Sequence, residues 1–186
     1  ATGLEKMTKT LKRMDGLIWE MLSLAKDYQL EPETVDLAAI LKELQNDLAE
    51  VAEKHHIKLD FRTDPGFPVV KGDGHSLYRA LLNLAKNALE AFQEKPDAWI
   101  KILARIKDDE RYELIVEDNA SGMSEEVKAK LFETFFSTKG KRGTGLGLMV
   151  VARTVKMHQG EIKVESKPGE GTKFILTLPR AFTKPK

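Results

Sequence analysis

Residues 83–92 read Asn83-Leu-Ala-Lys-Asn87-Ala-Leu-Glu90-Ala-Phe and place two asparagines four positions apart in a largely apolar helical segment. Side chains at positions i and i+4 share one helical face, and Glu90, three positions further on, continues the same stripe. From this pattern alone two interpretations remain open. The amides either face solvent or cap a neighbouring loop, or they line a polar site.

On both sides of this helix, helical and strand patterns follow one another without a regular βαβ alternation. Asp73 is placed to cap the helix at its start and Pro96 to end it, while Asp36 is placed to cap an earlier amphipathic helix. Ser124, followed by two glutamates, is placed to cap a short helix further along the chain. The order favours an α+β fold, a two-layer sandwich with a mixed, mostly antiparallel sheet covered by helices on one face. Strands are predicted at residues 57–61, 99–106, 112–116, 161–165 and 173–178, the second with the third and the fourth with the fifth forming hairpins.

The N-terminal segment has an apolar residue at alternating intervals of three and four. This heptad pattern predicts one long helix that packs in a bundle, either with other helices or back on its own domain. Pro32 marks a boundary, so the chain divides into a helical extension, residues 1–31, and a compact domain, residues 32–182. The heptad positions are Leu4, Met7, Leu11, Met14, Ile18, Met21, Ala25 and Tyr28.

Composition excludes several classes of function. The 186 residues include 30 basic and 29 acidic side chains, a net charge of +1, so bulk electrostatics give no reason to expect nucleic acid or a membrane surface as a partner. The absence of cysteine excludes disulfides and thiolate metal sites and fits a reducing cytosol. No run approaches the roughly 18 apolar residues of a membrane span. Because helical register is established by Leu4 without an initiating Met, we expect the chain to be part of a longer protein.

Every second residue is glycine in the turn that opens the helix predicted at residues 146–158. Such glycines let backbone approach a ligand closely, and the free N–H groups of a helix start attract anions. The turn matches neither a Rossmann fingerprint nor a P-loop, so it is either a phosphate site or a structural turn. The turn comprises Gly143, Thr144, Gly145, Leu146 and Gly147, and the cations Lys139, Lys141 and Arg142 precede it.

Asp118 lies at the end of a predicted strand and begins the turn Asp118-Asn-Ala-Ser-Gly122-Met. A carboxylate in this position accepts from an exocyclic amine, as the selection of a nucleotide base requires, or braces the turn. Taken by itself the residue leaves both interpretations open.

In their order along the chain, these motifs resemble the catalytic and ATP-binding domain of sensor histidine kinases of two-component systems. That group is related to the gyrase-type and Hsp90-type ATPases. The resemblance covers residues 73–179 and includes the run Phe132-Glu-Thr-Phe135-Phe136 and the final Gly169-Glu-Gly-Thr172-x-Phe174, so that the N, G1, F and G2 boxes of the family are all matched. The form of the N box resembles the nitrogen-regulation type of kinase.

The resemblance implies a role for each matched residue, with ATP and Mg²⁺ as cofactors. Asn87 would hold Mg²⁺ through its amide oxygen, and Asn83 would face the phosphates. Asp118, in the turn with Gly122, would accept the adenine amine with help from Thr172. Residues 119–142 would form a lid whose Lys139 reaches the phosphate tail, and the glycine turn of residues 143–147 would offer its backbone to the phosphates.

The resemblance also implies partners and a location. Residues 1–31 are similar to the second helix of the dimerisation and phosphoacceptor hairpin, and residues 32–182 to the catalytic domain. We therefore expect a homodimer through the N-terminal helix of the full-length protein, a phosphoacceptor helix of the same kinase, and a response regulator as partners, with no nucleic acid. The expected location is cytoplasmic, in a parent that is either free or anchored to a membrane.

Three positions depart from the family pattern. Ala120 replaces a glycine, which would cost about 1–2 kcal/mol if this position needs a positive φ. Thr134 stands where a proline is usual. The family's phosphoacceptor is a histidine followed by an acidic residue, and none of the four histidines, His55, His56, His75 and His158, has that neighbour. We expect the chain to bind ATP without phosphorylating itself.

Two other functions compete with this hypothesis. A gyrase-like hydrolase places a water-activating glutamate four residues before the metal-binding asparagine, and here that position is Asn83. A nucleotide-responsive interaction module would instead use the heptad helix to pair with a partner and would bind nucleotide weakly or not at all.

Overall fold

The structure is a computed structural model that describes residues 7, 30–92, 95–133 and 145–181. Its main element is a five-stranded sheet. The strands are β2 (Lys58–Thr63), β4 (Trp99–Ile106), β5 (Arg111–Asp118), β6 (Glu161–Lys167) and β7 (Gly171–Pro179). They lie in the order β2-β4-β5-β7-β6. Strand β2 pairs with β4 in parallel, and the other three pairings are antiparallel. The sheet is therefore mixed and mostly antiparallel, as predicted.

Among the described residues, three helices of two or more turns cover one face of this sheet, and a fourth helix has a single turn. They are α1 (Leu37–Lys54), α2 (Gly74–Ala91), α3 (Glu125–Ala129) and α4 (Gly147–Met157). Each of the first three begins at a side-chain cap, because Asp36, Asp73 and Ser124 accept hydrogen bonds from backbone amides of the first turn. These are the residue types that favour the N-cap, and the sequence places all three correctly.

Contacts with the helices distinguish the two faces of the sheet. On β5, Tyr112, Leu114 and Val116 join the core cluster formed with α1 and α2. On the opposite face Glu113, which is also buried, forms ion pairs with Arg105 at 2.6 Å and with Lys107 at 3.2 Å. Within the described residues the helices pack on the first of these faces, and the two-layer prediction is confirmed.

Element boundaries differ from the prediction in a few places. The helix that carries both asparagines ends at Ala91 rather than at Pro96, and the first strand of the sheet is Lys58–Thr63 rather than 57–61. A two-stranded antiparallel sheet was missed. It pairs β1 (Glu33–Val35) with β3 (Val70–Gly72), and a strand of three residues is too short for alternation to reveal it. The predicted N-terminal helix lies outside the described residues except for Met7.

Within the described ranges, no helix is both long enough and apolar enough to span a bilayer.

Candidate functional site

Three polar side chains lie side by side at one end of the sheet, on the face that the helices cover. Asp118 is registered opposite Thr172, and Thr172 is registered opposite Ser166 on the next strand. They are only 6%, 8% and 8% exposed. Buried polar groups require partners, so their hydrogen bonds define what this end of the molecule can bind.

Two backbone amides donate hydrogen bonds to the Asp118 carboxylate. Its Oδ1 accepts from the amide of Ala120 at 2.9 Å and from the amide of Thr172 at 3.3 Å. In the described part of the chain both donors go to Oδ1, and Oδ2 remains to accept from a ligand. Burial raises the pKa of the Asp118 carboxyl above its usual value, although these two amides oppose the shift. The arrangement presents a fixed acceptor inside a desolvated site.

Two glycines allow the turn after Asp118 to lie directly on the β6–β7 hairpin. Gly122 has φ +63°, and a β-carbon there would lie 1.9 Å from the carbonyl oxygen of Lys167. Gly171 has φ +95°, and its β-carbon would lie 2.0 Å from the carbonyl oxygen of Asp118. Neither position can accommodate a side chain, because the atoms that it would overlap belong to the backbone and cannot move aside. The two turns are therefore locked together around the carboxylate.

The concern about Ala120 is not realised in this backbone. Among the described residues, the non-glycine positions with positive φ are His56, Asp97 and Gln159. Ala120 is 2% exposed and its methyl group is buried. The conditional cost of 1–2 kcal/mol therefore does not apply to this position.

The neighbouring Asn119 braces the same turn. Its Oδ1 accepts from the amide of Trp99 at 2.9 Å, and its Nδ2 donates to the carbonyl of Asp97 at 3.0 Å. The Lys95 ammonium donates to the carbonyl of Asn119. Asn119 is thus a structural residue that positions the start of the turn, a role its sequence context did not reveal.

The two asparagines lie on α2 on the side that meets the start of α4. Asn83 Nδ2 donates to the carbonyl of Gly147 at 3.3 Å, and a β-carbon on Gly147 would lie 3.6 Å from the Asn83 amide carbon. Asn83 and Asn87 are both half-buried, whereas Glu90 is exposed. Asn83 of the helical stripe and Gly147 of the glycine turn, 64 residues apart in sequence, are therefore in contact.

The start of α4 differs from the starts of the other helices. Among the described residues, no side-chain cap hydrogen bond is made at the N-cap position, Leu146, whereas α1, α2 and α3 each have one. Gly145, immediately before it, has φ +69°. The amides of a helix start and the positive end of the helix dipole favour an anion here.

The Asn87 amide oxygen is a hard ligand of the kind that Mg²⁺ accepts. This ion typically uses one or two protein oxygens, substrate phosphates and several waters. A single amide oxygen beside a helix start fits such a site, since the phosphates would complete the coordination.

Several predicted site residues lie outside the described residues. They are Lys139, Gly143 and Thr144, together with Thr134, Phe135 and Phe136 of the predicted lid. Phe132 is described, and 36% of it is exposed. The short lid helix predicted after Ser124 is confirmed as α3.

Two buried residues of this region were missed in the sequence. Ser166 bonds both turns of the site, and His158 joins the C-terminal end of α4 to the start of α2. His158 Nε2 accepts from the amide of Asp73 at 3.0 Å, and Nδ1 lies 2.8 Å from the carbonyl of Thr154. A carbonyl cannot donate, so Nδ1 carries the proton and the ring is neutral. Only the tertiary contacts reveal either role.

Comparison with known proteins agrees with this geometry. The family model for histidine kinase-, DNA gyrase B- and HSP90-like ATPases matches residues 72–181. Sporulation kinase E of Bacillus subtilis is 33% identical over 93% of this chain, and the sensor histidine kinase ZraS of Klebsiella oxytoca is also 33% identical over 93%. The chain spans 23% and 37% of the length of these two relatives.

Solved structures show the same fold. The nucleotide-free catalytic domain of histidine kinase ThkA is 30% identical, with a TM-score of 0.72 over 82% of this chain and 99% of that chain. ThkA in complex with the response regulator protein TrrA gives 0.73 at 28% identity, covering 93% and 49%. Full-length ShkA in complex with AMPPNP gives 0.77 at 25% identity, covering 99% and 40%. The chain belongs to the family of histidine kinase-, DNA gyrase B- and HSP90-like ATPases and carries the ATP-binding catalytic domain of a sensor histidine kinase.

Proposed function

We propose that residues 32–182 bind ATP together with Mg²⁺ and hold it for phosphoryl transfer to a histidine that this chain lacks. The contact between Asn83 and Gly147 carries the proposal, because it brings the two half-sites of a polyphosphate cleft together. In this arrangement Asp118 Oδ2 accepts the adenine amine, with Thr172 beside it, on the Gly122 turn. Gly143, Thr144, Gly145, Leu146 and Gly147 offer backbone to the phosphates, Lys139 adds charge, and Asn83 and Asn87 face the phosphate tail.

Catalysis in such a site is positioning plus electrostatics. When bound, Mg²⁺ supplies positive charge that neutralises the phosphate oxygens, and Asn87 is the residue that would hold it. The backbone amides at the start of α4 orient the phosphates, and the locked Asp118 turn fixes the base at the other end. Holding both ends of the nucleotide aligns the terminal phosphoryl group with an attacking histidine nitrogen.

The position of Asn83 supports transfer over hydrolysis. Its amide donates to the Gly147 carbonyl, and an amide has no basic group with which to activate water. Asn83 occupies the position where a gyrase-like enzyme carries its glutamate. We therefore propose a kinase domain with little hydrolytic activity of its own.

Partners follow from the same proposal. Residues 1–31 form the second helix of a dimerisation hairpin in the full-length protein, which is a homodimer. The phosphoryl group passes first to the phosphoacceptor helix of that kinase and then to a response regulator, the class of partner bound in the ThkA complex with TrrA. The domain works in the cytoplasm, on a parent that is free or membrane-anchored, and binds no nucleic acid.

Calorimetric titration with an Mg²⁺–ATP analogue tests nucleotide and metal binding. The unmodified chain should bind more tightly with Mg²⁺ than without it, and Asn87→Ala should lose that difference. Asn46→Ala is the matched control, because Asn46 is exposed on α1 and lies in neither half-site. Equal affinity with and without Mg²⁺ in the unmodified chain would overturn the metal assignment.

Labelled ATP tests the transfer. The chain alone should not become labelled on histidine, whereas a separate polypeptide carrying the parent's phosphoacceptor helix should be labelled in its presence. Histidine labelling of the isolated chain would contradict the proposal.

A further inference from the structure

Ser166 lies where the two turns of the adenine end meet. Its Oγ is 2.9 Å from the amide of Met123, 2.8 Å from the carbonyl of Gly171 and 3.1 Å from the hydroxyl of Thr172. The side chain is 8% exposed and stands beside Thr172 in the strand register. One hydroxyl therefore has three partners, which is the full capacity of a serine side chain.

The identity of these partners determines where each hydrogen lies. The Met123 amide can only donate and the Gly171 carbonyl can only accept. If the Ser166 hydrogen did not point at Gly171, two acceptor oxygens would face each other at 2.8 Å in a buried site. Ser166 therefore donates to Gly171, and Thr172 must donate its own hydrogen to Ser166.

This arrangement determines what Thr172 offers to a ligand. With its hydrogen committed to Ser166, the Thr172 hydroxyl presents only lone pairs toward the cleft. Asp118 presents Oδ2, which is also an acceptor. The adenine end is then a pair of acceptors, complementary to an amine or to a water that donates, and mismatched to a carbonyl at the same position of the base.

We infer that Ser166 is a specificity-determining positioning residue: it orients the Thr172 hydroxyl as an acceptor and so adds to the preference for 6-amino over 6-oxo purine nucleotides. The inference rests on the proposed binding of ATP at Asp118. Ser166 touches no part of the nucleotide in this arrangement and acts only through Thr172.

The test compares the affinities for ATP and for inosine 5′-triphosphate (ITP), which carries a carbonyl where ATP carries the amine. In Ser166→Ala the Thr172 hydroxyl is free to rotate and donate to that carbonyl. The ratio of ATP to ITP association constants should fall about fivefold, the worth of one ordinary hydrogen bond. Ser166→Thr keeps the hydroxyl and should keep the ratio of the unmodified chain.

Two further variants separate specificity from general damage. Ser76→Ala removes another buried serine hydroxyl, which donates to the Asp73 carbonyl at 3.0 Å away from this end of the sheet, and should leave the ratio unchanged. Adding Thr172→Val to Ser166→Ala removes the freed donor. The gain in relative ITP affinity should then disappear.

The outcomes distinguish this inference from the proposed function. If Ser166→Ala weakens ATP and ITP equally, Ser166 is only structural and the inference is overturned while ATP binding stands. If the shift in ratio persists in the double variant, the route through Thr172 is wrong. If the unmodified chain does not bind ATP, or if Asp118→Asn binds it equally well, the proposed function itself fails and the inference falls with it.

Discussion

At the adenine end of the proposed site, Asp118, Thr172 and Ser166 stand on three neighbouring strands and are less than one-tenth exposed, with backbone packed against backbone at Gly122 and Gly171. At the phosphate end, Asn83 donates to the carbonyl of Gly147 at 3.3 Å where two helices pack together, and both asparagines there are half-buried. The hydrogen bonds of the adenine end are formed in the absence of ligand. The phosphate end is built from half-buried side chains beside the start of a helix.

The difference reflects what each end has to bind. A base is recognised by a few hydrogen bonds whose geometry discriminates, so fixed acceptors in a dry environment serve that purpose. A polyphosphate carries a dense charge that helix amides and mobile cations neutralise without fixed side-chain geometry. Stability should therefore depend strongly on the adenine end and weakly on the phosphate end, whereas ATP affinity should depend on both.

The largest expected effect is that of a β-carbon at Gly171. Gly171→Ala combines a positive φ with a 2.0 Å overlap on the Asp118 carbonyl oxygen, and the unfolding free energy should fall by about 3 kcal/mol or more. Gly169→Ala is the matched control in the same turn, because φ is +80° there but no atom lies within 4 Å of the added carbon. It should cost only about 1–2 kcal/mol. Equal losses in chemical denaturation would mean that the two turns are not locked.

Asp118→Asn should weaken ATP binding about 10- to 100-fold, the worth of a hydrogen bond to a charged group. The amide oxygen would keep the bonds from Ala120 and Thr172, so the amino group would face the adenine amine, donor against donor. Because burial raises the carboxyl pKa, ATP affinity in the unmodified chain should fall with decreasing pH before the ordinary aspartate value of about 3.9 is reached.

The same carboxylate should have the opposite effect on stability. A group whose folded pKa is raised contributes stability that is present at low pH and is lost as pH rises through that pKa. Asp118→Asn should therefore be at least as stable as the unmodified chain at neutral pH while it binds ATP less well. A variant that lost both stability and affinity would show that Asp118 mainly braces its turn. Chemical denaturation measures the stability of each sample, and calorimetry on the same samples measures its ATP affinity.

Protonation of His158, which joins α4 to α2, should have an effect of intermediate size on the free energy of unfolding. Burial lowers the pKa of this imidazole, although the Thr154 carbonyl and the charge of Asp73 oppose the shift. Stability from the neutral ring is complete above about pH 6.5 and should fall by up to about 1.4 kcal/mol per pH unit as pH decreases toward the lowered pKa. Protonation would place an N–H of the ring against the amide of Asp73.

Denaturation curves between neutral and mildly acidic pH measure this dependence. His158→Gln should flatten it, because glutamine does not titrate. A slope that survives in this variant would assign the pH dependence to another group.

The smallest expected effect belongs to Asn83→Ala. Its contact with the Gly147 carbonyl is 3.3 Å long and half-buried, so the unfolding free energy should fall by less than about 1 kcal/mol. ATP affinity should still fall about fivefold, since in the proposed site the amide also faces the phosphates. Asn46→Ala on α1 should leave ATP affinity unchanged and should not lower stability, because alanine is favoured in a helix interior. A large stability loss in Asn83→Ala would mean that stability depends on the phosphate end as strongly as on the adenine end.

Many of the helices and strands can be predicted from local sequence. Asp36, Asp73 and Ser124 cap helices where the pattern places them, because an N-cap depends on one side chain and the three residues that follow it. The strands of both hairpins are found for a similar reason, since alternation and turn residues act over a few positions. The order of the motifs was enough to indicate the family.

Other features depend on residues that are distant in sequence. The pairing of Glu33–Val35 with Val70–Gly72 has no signal in three-residue strands, and Ala120 looked strained until its backbone conformation was known. Ser166 and His158 are ordinary residues in their local context, and their roles arise only from partners brought together by the sheet and by helix packing.

The amino-acid sequence by itself therefore determined the capped helices, the five strands of the main sheet, the glycine turns and the chemical character of the two half-sites, because those depend on side-chain type and short-range periodicity. Only the tertiary structure decided which hydrogen points where around Thr172, which backbone atoms exclude a β-carbon, and that the Asn83 helix meets the Gly147 turn. Those properties depend on distances between segments that lie tens of residues apart, and local preferences do not specify such distances.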